Sequence, residues 1–262
     1  NASQHEGNYT VVVSNAFGSA TSSVAQIDVN GSLTEGLVGW WKFDETSGNI
    51  ASDSSGNGND GNLTNGPTWS EGKIGGALSF DGVDDYVEIS SRKWNIENLF
   101  SVSFWYLNNG TDGTIFSLGT PPMNNEIMLW ILNGRQDFYY HKGSGDWARI
   151  HEPTLSQDWH HKTIIVNGGY LENQMSSFIN GNLYQSTYTN NGISALLSDV
   201  QDRVLRFGFR INGQFYFKGL LDDIRLYDRA LSAVEVKALY ELGEEPVQES
   251  GSGTTTVVNG TV

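Results

Sequence analysis

The sequence predicts an all-β protein in which two antiparallel sheets pack face to face. Between residues 37 and 231, short runs of β-branched and aromatic residues recur at fairly even spacing, and many are separated by Asn-Gly or Asp-Gly pairs typical of tight turns. Residues 101–105 alternate between polar and apolar side chains, as a half-buried antiparallel strand does. No long stretch of helical spacing interrupts this pattern. The predicted strands cover residues 38–43, 77–80, 86–89, 100–107, 114–118, 127–132, 137–141, 161–166, 175–179, 182–187, 203–209 and 219–227.

One short helix is predicted at the end of this region. Ser232 and Glu235 have the spacing of a capping box, in which each side chain accepts a hydrogen bond from the backbone N–H of the other residue. Val236 and Leu239 then fall on one face of the helix. Gly243 stands where a helix commonly ends in a left-handed residue. We expect the helix to close the sandwich and to be structural.

The two ends of the chain differ in character from its centre. Residues 1–30 read as a two-strand hairpin in which Tyr9 is placed like the tyrosine corner of an immunoglobulin-like domain, so we expect the last hairpin of an incomplete domain of that kind. Residues 31–35 form a polar linker and residues 36–243 the main domain. Residues 244–262 are an acidic linker containing Gly, Ser and Thr, or the start of a further module. We therefore expect the sequence to be a fragment from the middle of a multi-module chain.

The net charge of −15 limits the classes of partner. An acidic surface repels phosphate groups, so nucleic acid is not expected as a partner. It suits neutral or cationic ligands, or an acidic site neutralised by a divalent cation, although acidity also serves solubility alone. The chain has no cysteine and therefore no disulfide or thiolate chemistry. No run of about 18 apolar residues occurs, so membrane insertion is not expected.

The loop after the first predicted strand has the spacing of half a calcium-binding loop. Oxygen-bearing side chains recur at Asp53, Ser55 and Asn57, and Gly58 follows them, as in a loop of the Asp-x-Asx-x-Asx-Gly type. Thr64 occupies the position that needs a bidentate Glu, which excludes a complete helix–loop–helix calcium site. Two alternatives remain open: a calcium loop completed by acids from elsewhere, or a polar turn without a metal.

Two further acidic pairs could contribute to such a site. Asp222 and Asp223 lie on the last predicted strand, where neighbouring side chains point to opposite faces, so one could face a cation while the other meets solvent or Arg225. Asp44 and Glu45 follow the first strand, and adjacent carboxylates repel each other unless a positive group lies between them.

Several motifs together resemble the laminin-G-like, concanavalin A-like lectin/glucanase domains. The resemblance covers roughly residues 36–243. It rests on the segments 39–48 (GWWKFDETSG), 53–61 (DSSGNGNDG), 75–82 (GGALSFDG), 84–87 (DDYV), 159–161 (WHH), 178–181 (FING) and 219–232 (GLLDDIRLYDRALS).

The resemblance implies a jelly-roll sandwich of two antiparallel sheets. It also implies a structural calcium ion where the first and last strands approach each other. Carried over by position, the ligands of this ion are Asp44, Asp53, Asn57, Asn59 and Asp222.

One segment combines aromatic and polar residues in the way that sugar-binding sites do. Sugars present C–H faces that stack on aromatic rings and hydroxyls that bond to polar side chains. Tyr139, Asp146, Trp147 and Arg149 offer both, and we expect them on a ligand-binding loop. The alternative is that Tyr139 and Trp147 are core or edge residues.

Catalysis is not expected. Glycanases of this fold carry their carboxylates on one strand face as Glu-x-Asp-x-x-Glu, and this spacing does not occur in the chain. No Gly-x-Ser-x-Gly motif occurs either.

The sequence therefore predicts a non-catalytic carbohydrate-binding module of a larger extracellular or cell-surface protein, secreted through a signal upstream of this fragment. Its expected partners are a polysaccharide or glycan, or a cell-surface protein, together with neighbouring modules of the same chain. The first alternative is a structural or adhesion spacer, and the second is a glycoside hydrolase.

Overall fold

The computed structural model describes residues 7–9, 12–15, 18–21, 25–27, 33–92, 94, 96, 99–110, 112–120, 124–142, 146–153, 155–168, 175–184, 187–191, 202–210 and 215–244. These residues form β-strands and one C-terminal helix, α1 (Ala233–Glu241). In chain order the strands are β1 (Gly7–Tyr9), β2 (Val12–Asn15), β3 (Gly18–Thr21), β4 (Ala25–Ile27), β5 (Leu37–Trp41), β6 (Ile50–Ala51), β7 (Gly61–Thr64), β8 (Thr68–Glu71), β9 (Gly76–Asp81), β10 (Tyr86–Arg92), β11 (Leu99–Asn108), β12 (Gly113–Thr120), β13 (Asn124–Leu132), β14 (Arg135–Lys142), β15 (Asp146–Pro153), β16 (Trp159–Asn167), β17 (Met175–Ile179), β18 (Asn182–Tyr184), β19 (Thr187–Asn191), β20 (Arg203–Phe207) and β21 (Lys218–Tyr227).

Two antiparallel sheets make up the main domain. Sheet I has nine strands in the order β19-β15-β14-β13-β12-β20-β10-β7-β6. Sheet II has eight strands, in the order β18-β17-β16-β11-β21-β9-β8 with β5 also beside β21. Near the N-terminus, β1 pairs with β4 and β2 with β3. Within the described residues, no helix is long and apolar enough to cross a membrane.

The core lies between the two sheets and is rich in aromatic rings. Phe207 of sheet I is fully buried, and its ring centroid lies 5.0 Å from that of Trp41, 6.2 Å from that of Phe43 and 6.4 Å from that of Phe116. Such edge-on and stacked pairs add specific ring–ring attraction to the burial of apolar area. The two-residue period of each strand places these rings on the inward faces.

Helix α1 covers part of the outward face of sheet II. Its buried Val236 and Leu239 belong to a second apolar cluster with Phe178 of β17 and Tyr227 of β21. The predicted capping box is present at its first turn.

The prediction for Gly243 was wrong, because this residue does not have a positive φ. It instead allows a close approach. A Cβ atom at this position would lie 2.5 Å from the indole ring of Trp105, so only glycine fits against that ring.

The predicted sandwich of two antiparallel sheets with a short C-terminal helix is confirmed. Two details of the strands differ. Residues 182–187 divide between β18 and β19, and the strand predicted for 203–209 ends at Phe207, because Gly208 has a positive φ of 85° that bends the chain away. Strands β6, β7, β8 and β15 were not predicted.

We predict that Phe207→Ala lowers the free energy of unfolding by about 3–5 kcal/mol, because it leaves a cavity among three rings. Leu183→Ala is the control, since Leu183 is 63% exposed, and it should change the value by less than about 0.5 kcal/mol. Urea denaturation of both variants measures the difference. Equal effects would contradict the described core.

Candidate functional site

Three neighbouring strands of sheet I present a polar and aromatic face to the outside. Ile127 of β13, Phe138 of β14 and Ile150 of β15 are buried in the core between the sheets. Because side chains alternate along a strand, the residues between them point away from sheet II. The described outward residues include Glu126, Met128, Trp130, Asp137, Tyr139, Trp147 and Arg149.

Three of these residues form a continuous row of rings across the strands, which we call the aromatic row: Trp147, Tyr139 and Trp130. The ring centroids of Trp147 and Tyr139 lie 5.9 Å apart, and those of Tyr139 and Trp130 lie 6.0 Å apart. All three side chains are half-buried. Phe215 extends the row from the segment before β21, with its ring 5.5 Å from that of Trp130. The row is therefore partly open to solvent along its length.

A guanidinium group lies against each end of the aromatic row. The Arg149 guanidinium is 4.9 Å from the ring centroid of Trp147, and that of Arg210 is 5.3 Å from the ring centroid of Trp130. Arg149 donates to Asp137 Oδ2 at 3.4 Å, and Arg210 donates to Glu126 Oε2 at 3.1 Å and 3.2 Å. Each cation near the row is thus both stacked on a ring and paired with a carboxylate.

Two buried polar atoms beside the row have no hydrogen-bond partner among the described residues. They are Nε1 of Trp130, which can only donate, and Oδ1 of Asp137, which as a carboxylate oxygen accepts. Trp130 and Asp137 pair directly across β13 and β14. Burial raises the pKa of the Tyr139 hydroxyl, while Arg210 and Arg149 partly oppose the rise, so this hydroxyl keeps its proton at neutral pH. Trp130 Nε1 and Asp137 Oδ1 lie beneath the surface of this face, whereas the rings of the aromatic row are partly exposed.

A second candidate site lies where three strands meet in sheet II. Residues 224–227 of β21 pair with β5, and residues 218–221 pair with β9, so β5 and β9 lie end to end along one edge of β21. Asp222 lies in the gap and is fully buried. Its Oδ2 accepts from the backbone N–H groups of Lys73 (2.8 Å) and Ile74 (2.7 Å). One buried carboxylate thus connects the turn between β8 and β9 to β21, the last strand of the main domain.

A β-bulge turns Asp222 and Asp223 toward different partners. The pairing of β21 with β11 shifts register here, and Asp223 has a positive φ of 47°. Asp223 Oδ1 accepts from Trp40 Nε1 at 2.6 Å and from Arg225 Nε at 3.2 Å. Asp223 thus meets Arg225, one of the two surroundings expected for the second acid, whereas a cation at Asp222 stays a prediction.

Asp222 fits a cation site on the evidence of its unused oxygen. Its Oδ1 is buried and has no partner among the described residues. Burial raises the pKa of Asp222 to about 8, and repulsion by the carboxylates of Asp223 and Asp44 adds to the rise. Asp44 accepts from the Gly76 N–H at 2.8 Å in the same gap. A divalent ion with oxygen ligands would supply the missing positive charge.

The Asp53 side chain is engaged within its own loop. Its Oδ1 accepts from the N–H groups of Trp40 and Ser55, and its Oδ2 accepts from that of Asn59, each at 2.9 Å. Burial raises the pKa of Asp53, but its hydrogen bonds with these three residues outweigh burial and the net shift is downward. This carboxylate is therefore stabilised in its charged form without a metal.

Two asparagines tie the same loop to β5. Nδ2 of Asn57 donates to the Leu37 carbonyl at 2.9 Å, and Nδ2 of Asn59 donates to that of Val38 at 2.7 Å. Strand β5 lies between this loop and β21. The structure therefore brings Asp44 near Asp222 but holds the loop on the other side of β5. Ligation by Asp53 and by these asparagines stays a prediction.

A third acidic group was not among the predicted ligands. Ligand atoms of Asp81, Asp84 and Asp85 all lie within 4.8 Å of one another, close enough to hold a metal ion. Asp85 is buried, its Oδ2 accepts from the Asp81 N–H at 2.9 Å, and burial raises its pKa. Residues 79–87 (SFDGVDDYV) contribute to the family resemblance, and their three acids within five positions also signal such a cluster.

A cleft of about 580 Å³ opens beside Asp44 on the sheet II side. Its lining includes the carboxylates of Asp44, Glu45 and Glu71 and the ring of Trp69. The Trp69 indole N–H donates to the Gly48 carbonyl at 3.0 Å. This acidic cleft is the rival to the aromatic row as a ligand surface.

The match to known families covers both candidate regions. A family model described as the concanavalin A-like lectin/glucanases superfamily matches residues 81–237. The chain belongs to this superfamily. The matched region includes β13 to β15 with the aromatic row and β21 with Asp222. No curated protein matches the chain.

Several solved structures share the fold of this chain. Domain 4 of AbnA, a GH43 extracellular arabinanase from Geobacillus stearothermophilus solved with arabinotriose, is 23% identical with a TM-score of 0.62, over 78% of this chain and 98% of that one. The botulinum neurotoxin serotype D ligand binding domain, solved with N-acetylneuraminic acid, is 18% identical with a TM-score of 0.59, over 82% and 52%. The serotype G binding domain is 16% identical with a TM-score of 0.61, over 79% and 51%. The chain thus spans about half of each toxin domain, and identities this low establish the fold alone.

The predicted concanavalin A-like membership is confirmed, whereas the comparisons do not support the immunoglobulin-like domain predicted for residues 1–30. The expectation of a ligand-binding loop was wrong, since Trp147 and Arg149 lie on β15. The alternation of Ala148 and Ile150 with these polar neighbours could have shown the strand. The Asp146 side chain lies outside the described residues.

Sequence reasoning missed Trp130, Asp137 and Arg210. They come from β13, from β14 and from the segment after β20, respectively, and only strand pairing and long-range packing bring them together. No local signal in the sequence links them.

We predict that Asp222→Asn changes how stability depends on pH. The folded pKa of about 8 exceeds the ordinary value of 3.8, so the carboxyl stabilises the folded state most below about pH 4 and loses this contribution as the pH rises through about 8. Asn keeps the shape and cannot ionise. In EDTA, the free energy of unfolding of the variant relative to wild type should therefore rise between pH 4 and pH 9. Urea denaturation across this range measures the difference in the free energy of unfolding between variant and wild type. A difference that does not change with pH would contradict a raised pKa for this buried carboxyl.

Proposed function

We propose that this domain is a non-catalytic carbohydrate-binding module of a larger extracellular protein. The observation that carries the proposal is the half-buried aromatic row on the outward face of sheet I, flanked by Arg149 and Arg210. Pockets for sugars combine exposed ring surface with a few fixed polar groups. The similar structures solved with arabinotriose and with N-acetylneuraminic acid support a sugar as the kind of ligand.

The chemistry of the row suits a sugar ring. The C–H faces of a sugar gain dispersion and burial energy against Trp147 and Trp130. Its hydroxyls can accept from the guanidinium of Arg149, whose side chain is partly exposed. Tyr139, between the two indoles, adds a hydroxyl that donates and accepts. Rings fix the position of the sugar, and the polar groups select its orientation.

The carboxylates of this face are unsuited to glycoside hydrolysis. Glu126 is fully buried and held by Arg210, and Asp137 is 2% exposed and held by Arg149. A general acid or nucleophile must reach the scissile bond of a bound sugar, and buried carboxylates that are paired with arginines are poorly placed to do so. The strand motif Glu-x-Asp-x-x-Glu does not occur in the sequence. This arrangement supports binding without turnover.

We further propose a structural calcium ion held by Asp44 and Asp222. When bound, the ion would neutralise the two acids and fasten β5, β9 and β21 to one another. Since this gap is in sheet II, the ion would support the fold without touching ligand on sheet I. The Asp81, Asp84 and Asp85 cluster is the alternative place for it.

The wider context of the chain is part of the proposal. Residues 1–30 would end a preceding immunoglobulin-like module and residues 244–262 would lead to the next. Secretion and a place at the cell surface are favoured by the extracellular origin of the arabinanase neighbour. The second candidate function, an adhesion spacer contacting a cell-surface protein, is favoured by the strand pairs β1–β4 and β2–β3 that precede the main domain.

The calcium proposal predicts that saturating calcium raises the Tm of EDTA-treated protein by about 5–10 °C, since binding to the folded state alone stabilises it. Asp222→Asn should lose most of this rise, and Asp84→Asn, in the rival cluster, should keep it. Differential scanning calorimetry measures both. If only Asp84→Asn loses the calcium-induced rise in Tm, the ion is bound by the Asp81, Asp84 and Asp85 cluster instead.

The binding proposal predicts that Trp147→Ala weakens glycan affinity by at least about tenfold, as loss of an aromatic anchor does. Trp69→Ala is the matched control, because Trp69 is also half-buried but lines the acidic cleft. A glycan array followed by calorimetry on the best ligand gives both values. Loss of binding in Trp69→Ala alone would place the ligand in the cleft, and absence of glycan binding with a calcium-dependent Tm would favour the spacer.

A further inference from the structure

Strand β8 is the last strand of sheet II and has an unpaired edge in the part of the chain that the structure describes. It pairs with β9 on one side, and no described strand pairs with its other side. Such an edge presents backbone N–H and C=O groups to which a further extended strand can be added. Thr68, Ser70 and Glu71 of this strand are exposed to solvent.

The acidic cleft follows the same strand. Its lining includes the consecutive residues Trp69, Ser70 and Glu71, and on another side the consecutive residues 44–46. Because neighbouring side chains of a strand point to opposite faces, three in a row line one cleft where that cleft runs along the strand's edge. An extended chain in the cleft would therefore lie beside the backbone of β8.

The cleft carries negative charge that does not depend on the proposed calcium ligand Asp44. Glu71 is exposed at its rim. Glu45 is held in place by the backbone N–H of Ser52, which donates to its Oε1 at 2.8 Å, while its Oε2 is buried and has no partner among the described residues. With a calcium ion on Asp44, the carboxylates of Glu45 and Glu71 would still face a ligand without a cation.

The lysines that flank these segments in the sequence are directed elsewhere. Lys73 Nζ lies 3.4 Å from Glu244 Oε1, and Lys42 Nζ lies 4.3 Å from the ring centroid of Trp40. Neither lysine is among the residues that line the cleft. The carboxylates therefore suit a cation from outside the domain, and the half-buried ring of Trp69 offers such a cation a π face.

The same charges decide between possible occupants of this edge. A second copy of the chain would bring the carboxylates of one cleft close to those of the other, and the net charge of −15 on each copy adds to the repulsion. An acidic or self-pairing edge is thus disfavoured, as it is on edge strands guarded by charge. A basic segment meets attraction at the same place.

We propose that the edge of β8 and the acidic cleft form a docking site for an extended, lysine- or arginine-rich segment of a partner protein. The segment adds a strand to sheet II through backbone hydrogen bonds. One of its cationic side chains lies between the Glu71 carboxylate and the Trp69 ring. This site is distant from the outward face of sheet I, so it holds whether or not the aromatic row binds a glycan.

The first test titrates a short capped peptide of alternating lysine and threonine into the wild-type protein by calorimetry, in saturating calcium. The peptide should bind, and its affinity should weaken as NaCl is raised, because salt screens ion pairs at a surface. The same peptide with glutamate in place of lysine should not bind. Absence of binding by the lysine peptide, or equal binding of both peptides, overturns the proposal.

The second test reverses one charge of the cleft. Glu71→Lys should weaken binding of the lysine peptide at least about fivefold, because it replaces an attraction by a repulsion. Asp158→Lys is the matched control, since it changes the net charge equally at an exposed position before β16, on the far side of β11, β21 and β9. Its effect should stay below about twofold, because charges beyond a Debye length are screened. Equal losses in both variants would assign the binding to the field of the whole chain and overturn the site.

The third test examines the backbone hydrogen bonds and needs no change in the protein. Methylation of alternate peptide nitrogens removes the N–H donors from one edge of an extended chain and keeps its charges. Of two lysine peptides methylated in the two alternate registers, one should bind at least about fivefold more weakly than the other, the loss of an ordinary hydrogen bond or more. Equal affinity of both methylated peptides and their parent overturns strand addition to β8.

Discussion

The two-residue period of β13, β14 and β15 is the constraint on which the binding face depends. The same register that buries Ile127, Phe138 and Ile150 between the sheets sends the indoles and phenol of the aromatic row outward. A shift by one residue would bury the polar residues and expose the core. Because core packing fixes this register strongly, the strands themselves hold the three rings of the aromatic row in place.

The sandwich also depends on a single strand for its closure. Strand β21 pairs with β11 along one edge. Along its other edge it pairs with β5 and β9, which lie end to end. A bulge in β21 places Asp222 in the gap between them, with its unpaired Oδ1. The strand that joins the two ends of the domain thus also forms the candidate cation site. The proposed ion in sheet II and the proposed ligand contact on sheet I therefore lie in different sheets.

Much of the fold could be read from the sequence, because alternation and turn residues are local signals. The capping box of α1 and most strands of the sandwich followed from them. Only part of the candidate site could be predicted from the sequence. Trp147, Tyr139 and Arg149 stood out by composition, but Trp130 and Arg210 join them through sheet register and long-range pairing. The loop at Asp53 has the spacing of metal ligands, yet the Asp53 carboxylate accepts hydrogen bonds from backbone N–H groups. Residue spacing alone cannot distinguish these two uses of a carboxylate.

The indole N–H resonances of the eight tryptophans test the central claim most directly, because each reports on one place in the fold. They can be assigned by single substitutions and followed by NMR during titration with the tightest-binding oligosaccharide. The account predicts that the signals of Trp130 and Trp147 move while those of Trp40 and Trp69 stay. Movement of the Trp69 signal with unchanged Trp130 and Trp147 would contradict a ligand on the outward face of sheet I.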